Sequence, residues 1–411
     1  MIRATRRGGF CYHGPVHCAQ PSDSSPPQRT RAAGELADLA SPLVDSIRRM
    51  GNVWNLPGGQ LLLPEVFGFC RGVERALVML AQAVAANRQS HRRLFLLGQI
   101  IHNPWVNDYF RARGVRILSA GEMVELEGTI APADLAIIPA FGVPLEIQQK
   151  LRSIGCEVID TSCGDVRRLW AWAERAAAEG FGVLIFGRAN HDETIVTKSR
   201  LRAGGGKYLV VGDLAAAQRF CDMITAHAPA ERFREVFDEQ ATNASSIDPF
   251  TRLAQVSQTT MLYDSTMGVR DLVRRSFAAR YGQNELDKRL MFQPTVCRAT
   301  QDRQAAAVAL CRSGCDLVMV VGGFGSSNTR HLFELARGYC PAYFIEDAAA
   351  IRSQRELETL DLTSGRAAVA DGWLPDRRPL RIAVLAGASS PQVVVGDVLQ
   401  RLAAFLGEAK P

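Results

Sequence analysis

The sequence predicts an α/β protein of three related units, each with a small parallel sheet, arranged around one central site. Two observations carry that expectation. From Gln60 onward, short apolar runs alternate with stretches of 3.6-residue periodicity, the pattern of parallel strands joined by helices. The alternation also recurs three times with a cysteine in the same place, a strand followed by a loop cysteine and then a helix.

The elements are read in order as follows. Residues 1–55 form an extension. Its first part, 1–33, is rich in Arg, Ser, Pro and Gln and reads as disordered. Five arginines against one aspartate there also give it the character of a transit peptide. The group Cys11, His13, His17 and Cys18 matches no common zinc spacing and is read as tail. Residues 34–54 suggest a short helix packed on the body. Unit one spans 56–160, with strands at Leu61–Leu63, Leu94–Leu97 and Leu135–Ile138 and a helix over Val73–Ala86. Unit two spans 161–294, with strands at Val183–Phe186 and Leu209–Val211 and an insertion near 213–252. Unit three spans 295–411, with a helix over Arg303–Cys311 and strands at Leu317–Val321 and Ile382–Leu385.

Each third is read as opening on its strand, cysteine and helix: Phe69-Cys70-Arg71-Gly72, Ser162-Cys163-Gly164-Asp165 and Val296-Cys297-Arg298-Ala299. A second polar loop follows in each: Ile101-His102-Asn103, Asn190-His191-Asp192-Glu193 and Gly325-Ser326-Ser327-Asn328. A third closes each unit: Ala140-Phe141-Gly142, Ser257-Gln258-Thr259-Thr260 and Ala386-Gly387-Ala388-Ser389. Ligands gather at the carboxyl ends of parallel strands, so nine such loops point to one site.

Composition narrows the chemistry. A net charge of +6 over 411 residues permits an anionic ligand without demanding one. No stripe of Lys and Arg with interleaved aromatics argues for nucleic acid, and no apolar run approaches the ~20 residues of a membrane helix. Ten scattered cysteines imply reduced thiols in a cytosol-like compartment.

Three cysteines at equivalent strand ends are more than packing residues. A helix N-terminus lowers a thiol pKa and favours thiolate, the form that binds iron. Cys70, Cys163 and Cys297 are therefore read as holding one iron–sulfur cluster, and three ligands for four irons leave one iron open, which leans towards catalysis. Cys311, Cys315, Cys156, Cys221 and Cys340 read as core. Ser326, Ser327 and Asn328, with Ser389, offer hydroxyls, an amide and free N–H groups to phosphate oxygens, and equally suit plain helix capping. His102 and His191 occupy matching places in the other units and read as phosphate donors. Glu193 serves either as a helix-dipole acid or as a proton donor beside the cluster, with Thr259 as relay.

Together these motifs resemble the 4-hydroxy-3-methylbut-2-enyl diphosphate reductase (LytB/IspH) family. They are Gly68-Phe69-Cys70-x-Gly72-Val73, Ile101-His102-Asn103, Asp160-Thr161-Ser162-Cys163, His191-x-Glu193-Thr194, Gln258-Thr259-Thr260, Ser326-Ser327-Asn328 and Ala386-Gly387-Ala388-Ser389. The match covers Pro64 to Leu402. The resemblance implies a trefoil around a [4Fe–4S] cluster on Cys70, Cys163 and Cys297, whose open iron takes the substrate hydroxyl. It implies Glu193 and Thr259 as catalytic residues, and His102, His191, Ser326, Ser327, Asn328 and Ser389 on the diphosphate. It implies reductive loss of water to isopentenyl and dimethylallyl diphosphate, the last step of the methylerythritol phosphate route, with electrons from a ferredoxin- or flavodoxin-like donor. The expected location is the cytoplasm, or the plastid stroma if the source is a plant or alga. Many bacterial members have Ala-His-Gly where this chain has Ala140-Phe141-Gly142, a form that looks plant- or cyanobacterial-like. Gly325, Arg188 and Asn190 also depart from common patterns. The alternatives are a paralogue reducing another hydroxylated diphosphate and a non-catalytic iron–sulfur sensor; Glu193 and Thr259 argue against the sensor.

Overall fold

The computed structural model describes residues 36–407, so the Cys11–Cys18 group lies outside the described residues. Three separate parallel sheets share one strand order. The first runs Val115–Ile117, Leu94–Leu96, Leu135–Ile138, Glu157–Asp160. The second runs Tyr208–Val211, Gly182–Phe186, Leu253–Ser257, Leu290–Phe292. The third runs Ala342–Ile345, Leu317–Val321, Leu380–Ala386, Gly59–Leu62, with Val53–Leu56 added antiparallel as a hairpin. Central strands such as Gly182–Phe186 and Leu317–Val321 are buried along their whole length, as a parallel sheet covered on both faces requires. Among the described residues no helix is long and apolar enough to cross a membrane.

The order corrects one expectation. The strand before each cysteine completes the sheet of the unit before, so Gly59–Leu62, read as part of unit one, belongs to the third sheet. Glu157–Asp160 leads to Cys163 yet pairs with Leu135–Ile138, and Leu290–Phe292 leads to Cys297 yet pairs with Leu253–Ser257. Gly59–Leu62 leads to Cys70 and pairs with Leu380–Ala386, with Leu61 opposite Ile382. The two ends of the body therefore meet in one sheet. The reason is burial: Leu61 and Leu63 find their apolar partners among Val384, Val398 and Leu402.

Residues before that strand serve the same core. Ser41 caps the helix Pro42–Arg49 by accepting from the Val44 N–H, and Val44 and Ile47 pack on the helix Gln392–Phe405. Two helices, Leu214–Ala226 and Ala230–Val236, fill the 213–252 region around Phe220, Phe233 and Phe250. Unit three has an elaboration of its own that the sequence reading missed, the hairpin Glu356–Leu360 with Ala367–Asp371. Cys221 and Cys311 are core thiols, each pushed up to about 12 by burial.

Leu61 is fully buried in the shared sheet. Leu61→Ala should cost about 3 kcal/mol, measurable as a fall in denaturation midpoint with circular dichroism retained. An unchanged midpoint would show that the closing strand contributes little to stability.

Candidate active site

All three cysteines occupy the N-cap position of a helix: Arg71–Ser90, Gly164–Ala178 and Arg298–Arg312. Each is held there by the same hydrogen bond. The Cys163 N–H donates to Ala140 O at 2.9 Å, the Cys297 N–H to Thr259 O at 3.0 Å, and the Cys70 N–H to Ala388 O at 3.3 Å. In every case the acceptor belongs to the third loop of the preceding unit. The cysteine loops and closing loops are thus one structure, repeated three times.

The thiols face a shared cavity of about 450 Å³. Gly72 shows how closely they approach: a Cβ there would lie 2.5 Å from Cys163 Sγ and 3.9 Å from Cys70 Sγ, which only glycine avoids. Among the described residues no three His, Cys, Asp or Glu side chains converge tightly enough to chelate a single ion. Three soft donors spread around a cavity suit a cluster that takes one iron per thiolate better than a mononuclear metal.

The thiol pKa values run against the sequence expectation. Burial pushes Cys163 up and Cys297 up to about 11, and the helix-end N–H groups and Thr300 pull back only in part. Desolvation outweighs the helix terminus. Metal-free, these two thiols are protonated at neutral pH, and iron binding would displace those protons.

Glu193 is 1% exposed. Although it sits in the first turn of the helix Asp192–Ala203, its carboxylate reaches into the next closing loop instead of capping its own helix. Oε1 accepts from the Thr259 N–H at 2.6 Å and Oε2 from the Thr259 hydroxyl at 2.7 Å. Burial raises its pKa to about 7 despite both bonds.

The opposite wall is built from the second loops. Asn103, His191 and Ser326 are the N-caps of their helices, again at equivalent positions. His191 Nδ1 accepts from the Glu193 N–H at 3.3 Å, which leaves its proton on Nε2. Burial beside His102, Arg188 and His331 drives its pKa to about 3, and burial lowers that of His102. Both are neutral imidazoles at pH 7. His102 stacks on Phe141, with centroids 4.2 Å apart and planes at 14°, and meets His191 edge-on at 5.4 Å. Ser326 Oγ lies 3.2 Å from Ser389 Oγ, and Asn328 Oδ1 accepts from the Ala388 N–H at 3.0 Å. Ser327 Oγ accepts from Gln258 Nε2 at 3.1 Å. The three cysteines, Glu193, Thr259, His102, His191, Ser326, Ser327, Asn328 and Ser389 all line this one cavity.

The family assignment follows from comparison. A model of the LytB protein family matches residues 61–403. The chain belongs to the LytB family. Relatives include the 4-hydroxy-3-methylbut-2-enyl diphosphate reductases of Thermosynechococcus vestitus, 35% identical with 90% of each chain covered, and of Gloeobacter violaceus, 35% identical with 89% of this chain and 88% of the relative covered. A solved (E)-4-hydroxy-3-methyl-but-2-enyl diphosphate reductase, described as the terminal enzyme of the non-mevalonate pathway, is 26% identical. It superposes with a TM-score of 0.51, covering 83% of this chain and 98% of that one. The Plasmodium falciparum reductase, 19% identical with 83% and 86% covered, gives a TM-score of 0.61 and shares the fold. The trefoil of three α/β units is therefore the LytB fold.

The sequence reading gave no role to three residues in or beside the cavity. Gln258, 1% exposed, also donates to Thr260 Oγ1 at 2.6 Å within its own unit, while its bond to Ser327 joins units two and three. His331 Nδ1 meets Thr260 O at 2.7 Å. Arg303 is buried beside the thiols of Cys70 and Cys297. Cys297, Thr300 and Arg303 recur at i, i+3 and i+6 on one helix face, a spacing that could have announced the last.

Glu193 makes stability depend on pH. Its pKa is about 7 folded against an ordinary 4.5, so folding favours the protonated form. That contribution is complete below pH 4.5 and lost as pH rises through 7, on the order of 3 kcal/mol. The melting temperature should thus fall more steeply from pH 5 to pH 8 in the wild type than in Glu193→Gln; equal slopes would contradict the burial argument.

Proposed function

We propose that this LytB-family chain is an iron–sulfur oxidoreductase that reductively dehydroxylates 4-hydroxy-3-methylbut-2-enyl diphosphate to isopentenyl and dimethylallyl diphosphate. The single observation that carries the reading is the convergence of three equivalent cysteines, a buried carboxyl of raised pKa and a hydroxyl-rich loop wall on one cavity. Overall, substrate plus two electrons and two protons gives product and water.

Cys70, Cys163 and Cys297 would hold a [4Fe–4S] cluster as thiolates. When bound, that cluster supplies single electrons and an iron without a protein ligand, a Lewis acid for the substrate hydroxyl.

The remaining steps belong to the chain's own side chains. Ser326, Ser327, Asn328 and Ser389, with the N-terminus of the helix Ser327–Ala336, present donors to a diphosphate. His191 and His102 add imidazole N–H groups, and a bound diphosphate would favour their protonated forms. Glu193, with a pKa of about 7, is partly protonated at neutral pH; with the proton on Oε2 the 2.7 Å bond to Thr259 Oγ1 reverses direction, and a proton can pass from carboxyl through hydroxyl to substrate. Phe141 and the half-buried Phe69 keep the cavity dry. A ferredoxin- or flavodoxin-like protein would deliver the electrons. The relatives are cyanobacterial, which suits the cytoplasm, or a plastid stroma in a plant or alga.

The direct test is anaerobic reconstitution followed by incubation of the diphosphate with a reduced viologen. Consumption with release of the two isomers is expected; a fully loaded protein that leaves the substrate untouched defeats the proposal. Glu193→Gln should bind substrate with little change and lose 10²–10⁴-fold in kcat, roughly the worth of a placed proton donor. Wild-type turnover would remove Glu193 from the mechanism.

Gly72→Ala probes the ligand set. The added methyl must displace Cys163 Sγ, so iron and sulfide per chain should drop well below wild type while circular dichroism is retained. Full loading would mean that Cys163 is not a required ligand.

A further inference from the structure

Arg303 is 4% exposed, on the helix that Cys297 caps. Its guanidinium forks between the first turn of that helix and the Cys70 loop. Nη1 donates to Ala299 O at 2.8 Å, two residues after Cys297, and Nη2 to Gly68 O at 2.7 Å, two residues before Cys70. Nε is buried with no partner. Among the described residues no carboxylate pairs with this cation. Its neighbour Asp302 is taken by Arg298 at 2.7 Å, and the other titratable groups acting on Arg303 are the thiols of Cys70 and Cys297.

A guanidinium cannot shed its proton, and a buried cation without a counter-charge is costly. Two carbonyls satisfy two of its donors but cancel none of its charge. The position is built to face an anion lying between Cys70 and Cys297. A [4Fe–4S] core on three thiolates is such an anion, and each added electron makes it more negative. A fixed cation there stabilises the reduced cluster more than the oxidised one.

We propose that Arg303 is the buried counter-charge of the cluster: a positioning residue that ties the Cys70 and Cys297 loops together and raises the cluster's reduction potential. The inference rests on reading the three cysteines as cluster ligands. It concerns the ease of reduction and needs no substrate.

The test is an anaerobic redox titration of holoenzyme by electron paramagnetic resonance, with Arg303→Gln and Arg303→Lys. At the wild-type midpoint, Arg303→Gln should show about a tenfold lower ratio of reduced to oxidised cluster, about 59 mV for a one-electron couple. Arg303→Lys, which keeps the charge and loses the fork, should recover most of that shift. Loss of iron from Arg303→Gln alone, with Arg303→Lys loaded near the wild-type midpoint, also supports the charge. A wild-type midpoint in Arg303→Gln overturns the proposal, as does an equal shift in both variants. Loss of iron from both with native circular dichroism reduces Arg303 to a structural staple. Because the potential is read without substrate, a wild type that loads its cluster but does not turn over fails the functional proposal alone.

Discussion

The site depends on a backbone hydrogen bond that crosses from one unit to the next. Each cysteine N–H donates to a carbonyl of the preceding closing loop, at Ala140, Thr259 and Ala388. An N-cap residue leaves its helix's first N–H groups free, so each thiol sits where a helix begins and a sheet ends. The strand exchange makes that geometry obligatory. Since the strand before each cysteine belongs to the previous sheet, the chain must step between units at the point where it delivers a thiol. No unit forms its third of the site alone, and the last third needs a strand from the beginning of the body, Gly59–Leu62. Stability of the third sheet and placement of Cys70 are therefore one quantity.

Burial then decides the electrostatics. In an open cleft, helix N-termini would favour thiolates and carboxylates alike. Here desolvation outweighs them: Cys163 and Cys297 titrate high, Glu193 near neutrality, and His191 at about 3. Cys163 and Cys297 stay protonated and the imidazoles neutral, and Arg303 is the buried exception that has to stay charged. Such a set is costly for an empty protein and suited to an anionic occupant.

Legibility in the sequence followed the range of the interaction. The loop cysteines, the capping serines and the alternation of strand and helix are local patterns, and the residues they single out line one cavity. The strand exchange was hidden because pairing Leu61 with Ile382 joins distant parts of the chain, and a strand's own residues do not name its partner. Thiol pKa values were misjudged because helix position is visible in sequence whereas burial is created by three units closing together. Arg303 escaped notice for the same reason: its acceptor at Gly68 is 235 positions away. Glu193 could be read as a dipole acid or a proton donor until its carboxyl was seen bonded to Thr259, outside its own helix.

Phe141 shows how a departure from the bacterial pattern fits this frame. Gly142, at φ +80°, lets the loop turn where a Cβ would strike Trp170 at 2.4 Å, so the loop's path is set by packing. Phe141 stacks on His102 and meets His191 edge-on at 6.1 Å. A third imidazole in that place would offer another donor but would have to be desolvated beside two others whose pKa values burial already lowers. A phenyl ring adds no such cost, excludes water and orients His102 by stacking. Unit one thus contributes a phenyl ring and an imidazole, while unit three contributes the hydroxyls of Ser326, Ser327 and Ser389. A ligand with one charged and one hydrocarbon end, bound as proposed, would set its anionic end among those hydroxyls and the two imidazoles.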